Sequence, residues 1–409
     1  MENGVAIVAT DGSGALAGSA RALSALVDNP TVTVRSCSGS FGHALLSRYS
    51  LRCFADDVAI VRRLRALDAP LLHLTNHHLA RYALFTGARY VVTVHDLMRH
   101  RDMAEREKRS PLIHKPNRRD TLNLRLDAAG LCRADALIAV SEHTRRELVE
   151  LLDIEPGRVR VVQEGVDPVA FRPVPRRLLD DPYVLYVGSE QPRKNLATLF
   201  RAFACLEQRW PGLKLVKVGA PGGPEAPFRE QTIAHAREHR VLSQIVFAER
   251  VSHDELLAWY SGAVCLAQPS LHEGFGLTPL EAMACGCPVI VSSGGALPEV
   301  SGEAGVVYGR PRDAGALARA VSRLLESDAE RAALSRAGRR RAKRMTWTRT
   351  ARLTREVWRG VLGEPRPAER VVGGLAGLRG RRAEIRHGVA RLNSLRIGDP
   401  AGEVLRRLG

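Results

Sequence analysis

Short apolar runs separated by polar, helix-favouring stretches recur along the chain in two series. The first lies at 5–10, 31–35, 70–75, 90–95, 136–140 and 158–162. The second lies at 183–188, 213–219, 245–249, 263–268, 288–292 and 305–308. Runs of this length, rich in Val, Ile and Leu and bounded by turn residues, predict buried strands. Helical patterns fill the intervals, with Ser141 and Ser252 placed as N-caps, and stretches 314–325 and 328–344 close the second series. Strands alternating with helices give a parallel, doubly wound sheet, so the fold class expected is α/β with one such sheet for each series.

The length of 409 residues accommodates two domains with separate cores. Pro173, Pro175 and Pro182 make 172–182 the expected linker. The chain is 45% hydrophobic but only 5% aromatic, and carries a net charge of +17. Of its 61 basic residues six are Lys, which leaves 55 Arg. Such a balance suits phosphorylated ligands, nucleic acid or an anionic membrane surface without choosing among them. The seven cysteines form no CxxC pair and no zinc-spaced cluster, which predicts a reducing, cytosolic setting. The first residues lack the pattern of a signal peptide, and no apolar run approaches the roughly 18–20 residues of a membrane span.

The stretch 270–288 holds the densest chemistry. A buried strand at 263–267 leads to Gly274 and Gly276, which permit a tight turn and close ligand approach, and then to a helix starting near Thr278 with Pro279 in its first turn. A strand, a glycine loop and a helix N-terminus aim free N–H groups at an anion. Glu273 in the loop and Glu281 in the helix would repel a phosphate unless they accept hydrogen bonds from hydroxyls. Arg193 and Lys194 follow the strand ending at Gly188, where cations would neutralise a diphosphate. His95 stands at a strand's carboxyl end, where open α/β sheets bind ligands. Asp96 either orients His95 or caps the next helix, and Gly12 and Gly14 follow the first strand.

His272-Glu273-Gly274-Phe275-Gly276-Leu277, then Glu281 and Gly286-Cys287-Pro288, resembles the signature of retaining GT-B glycosyltransferases of family 4. Thr93-Val-His95-Asp96-Leu97, the Arg193-Lys194-Asn195 run and Ser293 to Gly305 are similar to that family too, strongest from 183 to 309. The resemblance implies GT-B architecture: two Rossmann-like doubly wound domains facing across a cleft whose closure assembles the site. It divides the chain into an acceptor domain at 1–175, a nucleotide-sugar donor domain at 176–345, a helix at 346–363 crossing back to the first, and a basic tail at 364–409.

It further implies transfer with retention, no cofactor beyond a nucleoside-diphosphate sugar as co-substrate, and no essential metal. Arg193 and Lys194 would neutralise the diphosphate together with Gly188, His272, Gly274, Phe275, Gly276, Leu277 and Thr278. Glu273 would grip the sugar hydroxyls, Glu281 the ribose, and backbone near Arg250 and Val251 the base. His95 would reach the sugar, with Asp96, Gly12 and Gly14 on the acceptor side. Ser189 stands where relatives carry Arg, and Glu164 where Asn is common. Mannosyltransferase-like features make GDP-mannose the first donor expected and a UDP-sugar the second. The acceptor would be a glycan, lipid-linked or small-molecule hydroxyl.

Two other readings share these observations: a sugar-nucleotide epimerase or hydrolase of GT-B fold, and a non-enzymatic basic protein binding nucleic acid or membranes. The first reading expects no nucleic-acid partner. The basic stretch 99–120 is either a lip for an anionic acceptor or phospholipid, or a solvated charged face. In the tail, Ile385, Val389, Leu392, Leu395 and Ile397 allow an amphipathic helix, against glycines and Asp399-Pro400 that favour disorder. The expected location is cytoplasmic, with these basic segments offering peripheral contact at the membrane face.

Overall fold

The structure is a computed structural model describing residues 5–10, 31–34, 49–105, 112, 117–221 and 226–364. Gly12, Gly14, the expected helix at 20–27, most of 106–116 and the tail beyond Glu364 lie outside the described residues. The chain divides into two compact units, one comprising 1–162 with 351–409 and the other 163–350.

The first unit carries β1 (Val5–Thr10), β2 (Thr31–Val34), β3 (Leu71–Leu74), β4 (Arg89–Val94), β5 (Ala136–Ala139) and β6 (Val159–Val161). They form one parallel sheet in the order β2-β1-β3-β4-β5-β6, with Val5 paired to Leu71 and Leu71 to Arg89. Helices α1 (Tyr49–Arg65), α2 (Ala80–Ala83), α3 (Met98–Ala104), α4 (Arg118–Arg133) and α5 (Glu142–Leu152) connect them. Ser141 caps α5 by accepting from Thr144 N at 3.0 Å, without a reciprocal capping box.

Strand side chains alternate between two apolar layers, as period-2 geometry requires. Val8, Leu72, Leu74, Val92 and Leu137 meet Leu64, Leu131 and Leu148 from the helices. Val5, Ile7, Leu71, Val91 and Ile138 pack instead with Ala351, Trp358 and Val361. Truncating an aromatic as buried as Trp358 to Ala costs on the order of 3–5 kcal/mol.

The second unit repeats the design with β7 (Tyr183–Val187), β8 (Lys214–Val218), β9 (Ile245–Ala248), β10 (Cys265–Gln268), β11 (Val289–Val291) and β12 (Val306–Val307). Its parallel order, β12-β11-β10-β7-β8-β9, is the Rossmann order. The helices are α6 (Leu196–Leu206), α7 (Ala226–Glu238), α8 (His253–Gly262), α9 (Leu277–Ala284), α10 (Leu297–Ser301), α11 (Ala314–Glu326), α12 (Asp328–Ala342) and α13 (Trp347–Gly363). On α6, Leu199, Phe200, Phe203 and Leu206 recur on one face and bury against Leu317, Val321 and Leu324. Most strands stop a residue short of the predicted runs, while β1 matches its run and β4 begins one residue earlier; Ala263 is the C-cap of α8, so β10 starts at Cys265.

The division falls between Val162 and Gln163 rather than at 175/176. The proline-rich stretch is not a bridge because its flank is fastened to the second unit. Val166 N donates to Met345 O at 3.0 Å, Val174 N to Ser261 Oγ at 3.0 Å, and the Phe171 ring meets His253 edge-on at 5.2 Å. At the other end the division falls inside α13, from Ala351 onward. Among the described residues no helix is long and apolar enough to cross a membrane.

Candidate functional site

In the second sheet β7 and β10 are neighbours although they are its first and fourth strands in sequence. At such a switch point the connections leave to opposite sides and open a crevice beyond the carboxyl ends. The loop after β7 passes Gly188 (φ +150°) and a single helical turn, Pro192–Lys194, that ends at Asn195 in the left-handed region (φ +58°). Asn195 Nδ2 donates to Pro269 O and Pro311 O, at 2.9 and 2.7 Å. Leu271 N donates to Arg193 O at 2.7 Å, which fastens the loop after β10 to the loop after β7.

These loops bring the expected charges together. Arg193 Nη1 lies 2.8 Å from Glu273 Oε2, and Lys194 Nζ lies 2.6 Å from Oε1. Ser270 Oγ donates to Oε1 at 2.7 Å, and Gln268 Nε2 does so at 3.3 Å. Burial alone would raise the Glu273 carboxyl; Lys194 and Arg193 outweigh it and hold the group well below the usual carboxylate range. Glu273 is therefore an ionised acceptor in a nearly closed setting.

Gly276 (φ +120°) is the N-cap of α9, a geometry a β-carbon would strain, and Leu277 and Thr278 open the helix one residue earlier than predicted. His272, Gly274 and Phe275 are buried in the same loop. Glu281, inside α9, accepts from Tyr260 Oη at 3.0 Å, and burial pushes its carboxyl up to about 7. The two glutamates therefore differ in kind: one fixed as an anion by cations, one whose ionisation is disfavoured by burial. Arg250 is exposed and Val251 half-buried beyond β9.

In the first unit His95 follows β4, nine-tenths buried, and its Nε2 donates to Thr75 O at 2.9 Å. In the neutral ring Nδ1 is then the acceptor nitrogen. Asp96 Oδ1 accepts from the backbone N of Met98, the first residue of α3, at 3.1 Å, while Leu97 is the helix's N-cap. In the basic stretch, Arg99 pairs with Asp120 at 3.1 Å and Arg101 with Glu147 at 2.9 Å.

Two groups escaped the sequence reading. Around the β3 and β4 ends His73, His77 and His100 are buried, with the His77 and His100 rings 6.0 Å apart. In the second unit Glu190, Lys217 and Arg229 form a buried ionic cluster: Lys217 Nζ lies 2.8 Å from Glu190 Oε1, and Arg229 Nη2 2.7 Å from the same oxygen. A lysine interrupting the apolar run Lys214–Val218 was the signal available for the latter.

Residues 5–169 match the family profile of glycosyltransferase family 4, and residues 170–341 match that of glycosyl transferases group 1. A D-inositol 3-phosphate glycosyltransferase of Acidothermus cellulolyticus is 34% identical over 296 residues, 69% of this chain and 64% of the relative. Its namesake from Salinispora tropica is 34% identical over 255 residues, 58% of this chain and 53% of the relative. The chain thus spans between about half and two thirds of the curated relatives it matches. Among solved structures, a sucrose-phosphate synthase from Thermosynechococcus elongatus superposes with a TM-score of 0.72 at 23% identity, covering 88% of this chain and 100% of that one. Anabaena HepE in complex with UDP-glucose does so at 0.71 and 16%, covering 87% and 99%; at such identities the likeness concerns the fold. With both halves matched in order and two parallel sheets of the kind the superpositions require, the chain belongs to the GT-B glycosyltransferases of family 4.

Proposed function

We propose that this protein is a retaining glycosyltransferase that moves a hexose from a nucleoside-diphosphate sugar to an acceptor hydroxyl. The observation that carries the reading is the cluster at the β7/β10 switch point, where Arg193 and Lys194 converge on Glu273 beside the start of α9. As donor binds, the diphosphate competes with Glu273 for the two cations and meets the N–H groups from Gly274 to Thr278. Glu273 turns to the sugar hydroxyls and Glu281 to the ribose. The anomeric carbon's bond to the leaving oxygen breaks while the acceptor oxygen bonds that carbon on the same face. The acceptor's proton passes to the leaving phosphate, and Arg193 and Lys194 stabilise its growing charge.

The first unit supplies the acceptor side of this reading, with His95 serving the transferred sugar. Relatives named for D-inositol 3-phosphate favour a small phosphorylated polyol among the acceptor classes. GDP-mannose and UDP-sugars remain the two donors to separate.

A thermal-shift panel of GDP, UDP, ADP and TDP, run on wild type, Lys194→Ala and Glu281→Ala, tests the donor site. A ligand at a hundred times its Kd adds about 2.7 kcal/mol to apparent stability, so one base should stand out in the wild type and fade in both variants. A response to every nucleotide that collapses with salt would instead favour a basic binder of polyanions. Donor turnover without acceptor would favour an epimerase or hydrolase. Transfer that survives EDTA is expected, since the two cations take the charge role a metal would have.

A further inference from the structure

We propose that Arg229, acting with Glu190 and Lys217, is a positioning residue that holds the diphosphate-binding loop after β7 and the base-flanking turn after β9 at a fixed separation. The inference rests on the donor-site reading above. Strands β7, β8 and β9 are adjacent, so their carboxyl-end loops line one edge of the crevice. Arg229 reaches two of them from α7. Its Nε donates to both Glu190 oxygens, at 2.9 and 3.1 Å, and its Nη1 to Glu249 Oε1 at 2.6 Å. The guanidinium carbon sits 4.9 Å from the centroid of Phe247, which fixes its plane.

Lys217 completes the tie from below. It pairs with Glu190 and donates to Gly219 O and Ala220 O, while Glu190 N donates to Pro221 O at 3.0 Å. The Lys217 and Glu190 side chains are 1% and 0% exposed. Burying two ions costs several kcal/mol each before their attraction is counted, and an apolar pair of similar volume often does as well. Stability is thus a poor reason for this cluster; fixed geometry is a better one.

Two acids face two bases, so the cluster brings no net charge to the diphosphate, and what it chiefly delivers is position. The path to the cations is short and stiff. Glu190 precedes the turn in which Lys194 N donates to Gln191 O at 2.8 Å and Asn195 N to Pro192 O at 3.0 Å. At the other end Glu249 directly precedes Arg250 and Val251.

The test is calorimetric titration of the responding nucleoside diphosphate into wild type, Arg229→Met, Arg229→Lys, Lys194→Ala and Arg229→Met/Lys194→Ala, with the melting curve of each recorded alongside. Residues acting through one another give non-additive losses. Arg229→Met should weaken binding about tenfold in the wild-type background but less than twofold once Lys194 is gone. Arg229→Lys, which keeps the charge and loses the fork, should fall between and carries the test if the Met variant does not fold. In turnover, donor KM should rise while acceptor KM holds. Equal losses in both backgrounds, unchanged affinity, or a parallel rise in both KM values would overturn the proposal. A wild type that binds no nucleoside diphosphate would overturn the donor-site reading itself.

Discussion

Lys194 Nζ lies 2.6 Å from Oε1 of Glu273, and Arg193 occupies the carboxylate's other oxygen. Two cations thus face one anion, which leaves the free site with one net positive charge. Lys194→Met should leave Glu273 with Arg193 as its one cation and cost about 1–3 kcal/mol at neutral pH, the range for a buried polar group losing a partner. Adding Glu273→Gln should restore part of that loss. Because the pairing lowers the folded-state pKa of Glu273, its stabilisation is complete above about 4.5 and disappears as pH falls through the acid range. Urea unfolding should therefore show a gap between wild type and Lys194→Met that is full at pH 7 and narrows only as pH falls below about 4.5.

The residues of that pair were legible in the sequence because each sits in a local pattern: cations after a strand, an acid directly before two closely spaced glycines. The Glu190–Lys217–Arg229 cluster was not, since its members come from a loop, a strand and a helix that meet only when β7 and β8 pair. Charge density after β4 could not show that Arg99 and Arg101 have acidic partners on other helices. Prolines suggested a linker at 172–182, but composition could not say that this stretch lies within the second unit. The strand order, by contrast, explains why the legible residues converge: β10 returns beside β7.

Glu281 carries a second pH signature of opposite sign. Burial raises its carboxyl to about 7, so between pH 4.5 and 7 the folded protein binds more protons than the unfolded chain. Stability must then fall as pH rises through this window, by at most about 3.5 kcal/mol at roughly 1.4 kcal/mol per unit. Glu281→Gln should remove the effect, so that the difference in melting temperature between variant and wild type grows from pH 5 to pH 8. A constant difference would show that Glu281 titrates normally. Bound nucleotide should shrink the effect if the ribose hydroxyls favour the carboxylate.

Two glycines separate backbone constraint from mere composition. Gly295 has φ +68°, and a β-carbon there would lie 2.1 Å from Glu273 O, the atom that accepts from Ala296 N at 2.8 Å. Gly295→Ala should displace the loop bearing Glu273 and abolish the nucleotide response in a thermal-shift assay. Gly360, inside α13, has nothing within 4 Å of that position. Gly360→Ala should stabilise the protein by roughly 0.5–1 kcal/mol with nucleotide binding unchanged.

The first unit should be acid-labile because of its buried histidines. Burial lowers His73 to about 3, with His95 adding to the effect, and lowers His77 well below 6.5, reinforced by His78, His100, His95 and Arg81. Burial also brings His100 to about 4, against the pull of Asp127, with His78 acting in the same direction as burial and the bond to Leu124 O opposing it. All three are neutral in the folded unit near pH 5, while in the unfolded chain they are protonated below about 6.5. Unfolding then takes up about three protons, so stability falls by roughly 4 kcal/mol per pH unit around pH 5. Hydrogen exchange of the β3 and β4 amides between pH 5 and 7, corrected for the intrinsic pH dependence of exchange, reads this. His100→Gln preserves a donor for Leu124 O, which His100 Nε2 contacts at 3.1 Å, and removes one titrating group. It should reduce the slope by about one proton, or roughly 1.4 kcal/mol per unit. A slope unchanged by that substitution would mean that His100 is not held neutral by the fold.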